Sequence, residues 1–422
     1  MKRSYILFVA LFVTTMFISL SPITVFSEGL LHQSNLKYIG AFRLPKGKIG
    51  CNSAEDYCTF AYGGRPIAAD INGDKGKGSL FIGSHIYSQK IAEVTIPSLV
   101  NSNNLNDLNT AQVLQGFSDI TEGKRNNVMK NGERYNQTVN PGGLLVYGDK
   151  LIGSVKTYYD PGHQYLSHYV SSKNLSEIGD FAGMYKIGSA VDARFLAGYM
   201  DTIPLKWQGK LGGTVITGTA GGGIISATSV GPSAFAFDPS DLGRKNPAPA
   251  TTLMYYPLKN PLAVPDSTNP MFNLTAHIEG VVFPDGTDSV LFFGNIGVGK
   301  YCYGIGTSDL SLVGKFKPGN TIEKYDCYDP AVSSKGNHAY PYRYQVWAYN
   351  ANDFVKVRKG MLKPWDVRPY EVWNFTLPFQ PEQAEIFGTS YDKKNRKLYI
   401  SQAHGDGDLP LVHVFEIVPP PA

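Results

Sequence analysis

The stretch HIEGVVFPDGTDSVLFFGN, from His277 to Asn295, holds two apolar runs around the turn Pro-Asp-Gly-Thr-Asp. Both runs are rich in β-branched and aromatic residues, and the Asp-Gly between them is turn chemistry, so the segment reads as a β-hairpin. The same unit recurs as YGGRPIAADINGDKGKGSLFIGSH (Tyr62 to His85) and NPGGLLVYGDKLIGSVKTYYD (Asn140 to Asp160). It is read again in GGGIISATSVGPSAFAFD (Gly221 to Asp238) and AEIFGTSYDKKNRKLYISQAHGD (Ala384 to Asp406). Recurrence of one hairpin at intervals of roughly 60 to 110 residues points to a radial all-β architecture before any local propensity is weighed.

Each hairpin is followed by an aromatic strand ending in an acidic turn, as in YQVWAYNANDF (Tyr344 to Phe354) and AFAFDPSDL (Ala234 to Leu242). A further strand ends near Leu-Pro or Ile-Pro, as in KIAEVTIPSL (Lys90 to Leu99) and YEVWNFTLPF (Tyr370 to Phe379). Four antiparallel strands per unit make a sheet that buries both faces only against neighbouring copies. The N-terminal KYIGAFRLP (Lys37 to Pro45) is read as the last strand of a unit, and LVHVFEI (Leu411 to Ile417) as a third strand. Together these two end segments are expected to complete one unit and close the ring, removing its edges. On these repeats the chain resembles the β-propeller superfamily. The resemblance implies five blades, or six or seven if the spacers 101–139 and 171–219 hide another. A β-sandwich with elaborated loops is the rival fold. Helical spacing is found only at Leu175 to Tyr185 and Val191 to Met200.

The chain has 422 residues and begins with Lys2 and Arg3, an apolar run from Tyr5 to Leu20, and Val25-Phe26-Ser27. That order is read as a secretory signal over residues 1–27, followed by a single domain over 28–422. The apolar run is short of the ~20 residues that span a bilayer. The expected location is therefore secreted or periplasmic, with no transmembrane segment after signal removal. Losing Lys2 and Arg3 lowers the formal charge from +4 to +2, which gives no electrostatic case for nucleic acid. Four cysteines suit an oxidising compartment, and sequence proximity pairs Cys51 with Cys58 and Cys302 with Cys327.

No nucleotide fingerprint or serine-hydrolase elbow is present. Asp70-Ile-Asn72-Gly73-Asp74 alternates oxygen ligands but lacks the Gly and Glu of a calcium loop, so it is read as a turn. The loop His404-Gly405-Asp406-Gly407-Asp408 is likewise read as a loop rather than a metal site. No cofactor or metal is expected, calcium being the one candidate.

In a hairpin, residues just before the first strand and just after the second lie at the same end. Arg65, Asn140, His277, Glu279 and Glu385 form the first set, and His85, Lys156, Tyr158, Asn295 and His404 the second. The long insertion 296–343 adds His338, Tyr342 and Arg343 to that rim. Rigid scaffolds carry binding and catalytic groups on such loops. The expected catalytic residues are His85, His277, Glu279, Glu385 and His404. Arg65, Asn140, Lys156, Tyr158, Asn295, His338, Tyr342 and Arg343 are expected to bind substrate. Two carboxylates, Glu279 and Glu385, suit a glycoside hydrolase. Histidine and tyrosine with neutralising cations suit a polysaccharide lyase acting beside a uronate carboxylate. His277 and Glu279 alternate in register, which is expected to raise the His277 pKa, and replacing either glutamate is expected to leave the fold intact. The alternative is a non-catalytic glycan- or protein-binding scaffold of the cell envelope, with a quinoprotein-like role behind it.

Overall fold

The computed structural model describes residues 29–50, 57–159, 164–219 and 227–420. Five four-stranded antiparallel sheets follow one another along the chain. The first comprises Ile67–Asp70, Ser79–Gly83, Ile91–Thr95 and Val113–Ser118. The second comprises Val139–Tyr147, Lys150–Thr157, His168–Ser172 and Ala182–Tyr185. Met200–Thr202, Val215–Thr217, Ala234–Phe237 and Ala250–Met254 make the third. His277–Val282, Ser289–Gly297, Tyr342–Asn350 and Glu371–Phe375 make the fourth. In the fifth, Ile386–Asp392, Lys397–Asp406 and Leu409–Ile417 are joined by the N-terminal strand Leu36–Arg43. That last pairing is antiparallel, from Leu36 opposite Ile417 to Arg43 opposite Leu411.

The first strand of each sheet lies against the first strands of two others, so Ile386–Asp392 touches both Ile67–Asp70 and His277–Val282. Glycine makes this approach physically available. A Cβ on Gly280 would stand 2.2 Å from Thr389 Oγ1 of the fifth sheet, and one on Gly142 2.4 Å from the Ala197 carbonyl. At these two positions glycine makes room for its neighbour, the Thr389 side chain at Gly280 and the Ala197 carbonyl at Gly142.

Between the sheets lie five apolar clusters. Phe81 and Ala68 meet Leu144 and Leu151 between the first and second sheets. Ile152 meets Phe235 and Phe237 between the second and third, and Ile216 meets Phe292 and Trp347 between the third and fourth. Phe293 and Val346 meet Ile386 and Ile400, and Val412 and Val414 meet Leu80 and Ile82, so the fifth sheet also packs on the first. Each sheet therefore buries both faces against copies of itself, an arrangement compatible with propeller blades.

Several expectations need correction. The third sheet opens with Met200–Thr202 and Val215–Thr217, not with Gly221 to Asp238; residues 220–226 lie outside the described residues. A helix, Leu205–Leu211, joins those two strands and interrupts the hairpin period. The segment Ile91–Thr95 is the third strand of its sheet, not the last. Leu175 to Tyr185 and Val191 to Met200 hold a strand and a short 3-10 turn in place of helices. The acidic turn after Tyr342–Asn350 is instead the start of the helix Ala351–Arg358, whose Asn350 cap accepts from the Asn352 N–H. Ala351, Phe354 and Val357 bury one face of it. The spacers 101–139 and 171–219 contribute strands to the five sheets and, among the described residues, no further sheet.

The insertion between the second and third strands of the fourth sheet folds as a small sheet of Cys302–Thr307, Tyr325–Tyr328 and Lys335–His338. Cys302 and Cys327 are disulfide-bonded with Cα atoms 5.8 Å apart, whereas Cys51, the expected partner of Cys58, lies outside the described residues. This bond fits an oxidising compartment. Among the described residues no helix is long and apolar enough to cross a membrane.

His338 and Tyr342 belong to the interior of this insertion, which corrects their expected place on the rim. His338 Nδ1 lies 2.8 Å from Asp329 Oδ2, which also accepts the Tyr342 hydroxyl at 2.6 Å. His338 Nε2 faces the carbonyls of Gly304 and Ser334 at 3.1 and 3.0 Å. Carbonyls only accept, so both ring nitrogens donate and the imidazole is cationic. Burial pushes its pKa down, but the Asp329 carboxylate outweighs that and raises it. His338→Ala should therefore cost on the order of 1.5–3 kcal/mol locally, the range for hydrogen bonds to charged groups. Hydrogen exchange should show lost protection across 302–338 and none in the five sheets. A raised histidine pKa stabilises below its unfolded value, so this contribution should fade as pH rises through the folded pKa.

Candidate functional site

The hairpin register determines which side chains share an end. Asn140 lies opposite Lys156, and His277 opposite Asn295. Arg65 precedes the first strand of the first sheet, and Glu385 precedes that of the fifth. These ends surround a cleft of about 380 Å³, lined by Arg65, Asn140, Lys156, Tyr158, His277, Glu279 and Glu385. Arg194, from the 3-10 turn Ala193–Phe195, lines it as well.

Its centre is Glu279, only 8% exposed. Both carboxylate oxygens accept from Lys156 Nζ at 2.9 Å, and Arg65 Nη1 stands 3.9 Å from Oε1. The other arm of Arg65 donates to Glu385 Oε1 at 3.1 Å. One guanidinium thus bridges the two glutamates, while its Cζ stacks 4.5 Å from the Phe387 ring centroid. Burial pushes the Glu279 pKa up, but Lys156 and Arg65 together outweigh it and bring the carboxyl down to about 2. Glu279 is ionised at any ordinary pH and cannot serve as a general acid.

The His277 pKa is lowered, not raised. Burial is the main cause and the Lys156 and Arg65 charges add to it, exceeding the opposite pull of Glu385 and Glu279. A neutral imidazole near neutral pH, beside cations that can hold a negative charge, is the arrangement of a general base.

A smaller compartment of about 190 Å³ adjoins the cleft and shares Arg65, Gln89, Asn140 and Glu385 with it. Ile86 is shared as well, and the rest of its wall is mostly apolar, with Tyr62, Pro141 and Phe387 beside Gly63 and Ser84. His85 and His404 flank this compartment instead of entering the charged cleft. Their rings each lie 5.6 Å from that of Tyr62. His85 is also stacked on Tyr57 at 4.7 Å, and its Nδ1 accepts the Tyr87 backbone N–H at 3.1 Å. Burial lowers the His85 pKa. Tyr57, Tyr62 and Tyr87 remain 43%, 47% and 74% exposed, leaving aromatic surface open beside the cleft.

Of the remaining predicted residues, Tyr158 is exposed at the cleft edge. Asn295 is buried beneath the rim, and its Oδ1 has no hydrogen-bond partner among the described residues. Arg343 is exposed on the third strand of the fourth sheet, opposite Ile296, and lines neither compartment. Asp70 caps a turn at the other end of its sheet, bonding the Asn72 N–H at 3.0 Å and Lys173 Nζ at 2.7 Å. Asp406 is held by Arg43 at 2.8 and 3.1 Å. Among the described residues no group of three or more His, Cys, Asp or Glu side chains is placed to hold a metal. Sequence reasoning missed Arg194, Tyr62, Tyr87 and Phe387. The aromatic ones lie within three residues of positions it did select, whereas nothing in the sequence around Arg194 singles it out.

No protein-family model matches the chain, and no curated protein does. Among solved structures it is similar to a glycosyl hydrolase from Bacteroides ovatus, at 10% identity over 94% of this chain and 100% of that one, with a TM-score of 0.42. A second Bacteroides ovatus protein, named for the glycoside hydrolases, aligns at 12% identity over 93% and 96% of the two chains, TM-score 0.39. Kuenenia stuttgartiensis hydrazine synthase aligns at 11% identity over 83% and 77%, TM-score 0.32. Likenesses this distant carry no argument about chemistry, which rests on the cleft alone.

Proposed function

We propose that the chain is a secreted five-bladed β-propeller, with residues 1–27 as its signal peptide and 28–422 as one domain. We further propose that it binds an acidic polysaccharide in this cleft and cleaves it by elimination. The observation that supports this reading is His277: an imidazole kept neutral, in a cleft whose cations outnumber its carboxylates. In the proposed step the His277 imidazole takes the C5 proton of a uronate. The C5–H electron pair becomes the C4=C5 double bond, the C4–O bond breaks, and the leaving oxygen takes a proton from Tyr158. The neighbouring cations stabilise the charge that develops on the uronate carboxylate. Hydrolysis by the glutamate pair is less well supported. Both oxygens of Glu279 are held by Lys156 and Glu385 is tied to Arg65, so neither carboxylate stands free to act on a glycosidic bond. The open aromatic surface of Tyr57, Tyr62 and Tyr87 suits stacking against sugar rings.

Incubating the purified mature protein with a panel of polysaccharides separates these readings. Elimination gives an unsaturated product with new ultraviolet absorbance along with each new chain end, and hydrolysis gives reducing ends alone. Binding without either product would support the non-catalytic scaffold instead.

A further inference from the structure

Resting on the reading of this cleft as a carbohydrate site, a charge inventory singles out one side chain. Lys156 gives its ammonium to both oxygens of Glu279, and Arg65 is divided between Glu279 and Glu385. Arg194 is the third cation and is only 3% exposed. Its Nε donates to the Thr157 carbonyl at 3.3 Å and its Nη1 to the Thr219 hydroxyl at 2.9 Å, both neutral acceptors. Among the described residues no carboxylate forms an ion pair with it. A buried charge is costly unless paired. Its surroundings reflect that cost, since burial lowers the Arg194 pKa to about 10 against a partial pull from Glu279. Arg194 and Arg65 in turn add to the burial that lowers Lys156. The cleft therefore carries three cations against two carboxylates.

We propose that Arg194 is the seat for an oxyanion borne by the ligand sugar, and that this contact sets the preference for acidic over neutral glycans. The two anchors hold the guanidinium plane, and the fork can then meet a planar carboxylate or a sulfate with two parallel bonds. Lys156 and Arg65, occupied by protein carboxylates, hold Glu279 in place and leave recognition to Arg194. The sequence left the neutralising role open among the rim cations Arg65, Lys156 and Arg343, and Arg194 was not among them.

Calorimetric titration of the mature chain with a uronic-acid oligosaccharide, its carboxyl-reduced neutral counterpart and a sulfated neutral oligosaccharide tests this. The wild type should bind at least one of the acidic probes tenfold or more tighter than the neutral one, with affinity falling as salt rises. Whichever acidic probe binds identifies the oxyanion as carboxylate or sulfate. Arg194→Gln should remove that tenfold preference by weakening binding of the acidic probe. Arg194→Lys, which keeps the charge without the fork, should recover part of it and serves if the Gln variant does not fold. Equal affinity for acidic and neutral probes in the wild type, or an undiminished preference in both variants, overturns the proposal while leaving carbohydrate binding intact. Thermal stabilisation by inorganic sulfate separates the two ideas. If sulfate protects the wild type and not the variant while no oligosaccharide binds, the anion seat stands and the carbohydrate reading falls. If neither sulfate nor any oligosaccharide binds, both fall.

Discussion

Glu279→Gln should both inactivate the protein and destabilise it by about 3–5 kcal/mol, the cost of breaking a buried ion pair from one side. The carboxylate comes from the fourth sheet, Lys156 from the second, and Arg65 from the segment leading into the first. Removing its charge leaves three cations facing one another around the cleft with only Glu385 to offset them. This corrects the expectation that the fold would not notice the change. Glu385→Gln should cost less, because Glu385 is more exposed and, among the described residues, pairs with Arg65 alone. The pH dependence has a definite sign. With a folded pKa of about 2, Glu279 contributes its full stability above the unfolded carboxyl value of about 4.3. That contribution is lost as pH falls from there toward 2. Thermal melts between pH 2 and 5 should show a steeper acid loss in the wild type than in the Gln variant. Parallel curves would mean that Glu279 is not paired as described.

His277→Gln should lower the elimination rate by about 10²–10⁴-fold, the usual share of a general base, with little change in melting temperature. The ring makes no hydrogen bond among the described residues, so no pairing is lost with it. A base works in its neutral form, and burial shifts this one below the ordinary histidine value of 6.5. Activity should therefore persist as pH falls through 6.5 and decline only below it. An acid limb above 6.5 would show that another group is the base. Melting and activity together distinguish the two variants, since Glu279→Gln moves both and His277→Gln moves one.

The hairpins at Tyr62, Asn140, His277 and Ala384 were legible because their strands are long enough to show an apolar pattern around a polar turn. The third was not. Its first two strands have three residues each, and the helix Leu205–Leu211 joins them in place of a tight turn. Three residues are too few for a period of two to declare itself. The same logic governs the cleft. Asn140, Lys156, His277 and Glu279 could be placed at one end because hairpin register follows from the turn. His338 and Tyr342 could not, because the insertion pairs its strands partly in parallel and folds back on Asp329. Arg194 sits on an irregular turn, where no periodicity tells which way a side chain faces. The sign of the His277 shift was also beyond reach, since a sequence shows the neighbouring carboxylate but not the depth of burial.

The pairing of Leu36–Arg43 with Leu409–Ile417 imposes an order on assembly. Synthesis delivers Leu36–Arg43 long before its hydrogen-bonding partner, Leu409–Ile417. Until then the strand has only its hydrogen bonds with residues 100–111, such as Ala41 N–H to the Val100 carbonyl at 3.0 Å, and Leu80 and Ile82 of the first sheet lack Val412 and Val414. The pairing is therefore a clasp that fastens only once residues 409–417 have been made. Forming this pairing joins segments far apart in sequence, which favours slow docking of the two. Until then the unpaired edges invite pairing with other chains, so the interval before fastening is when this molecule is most exposed to aggregation.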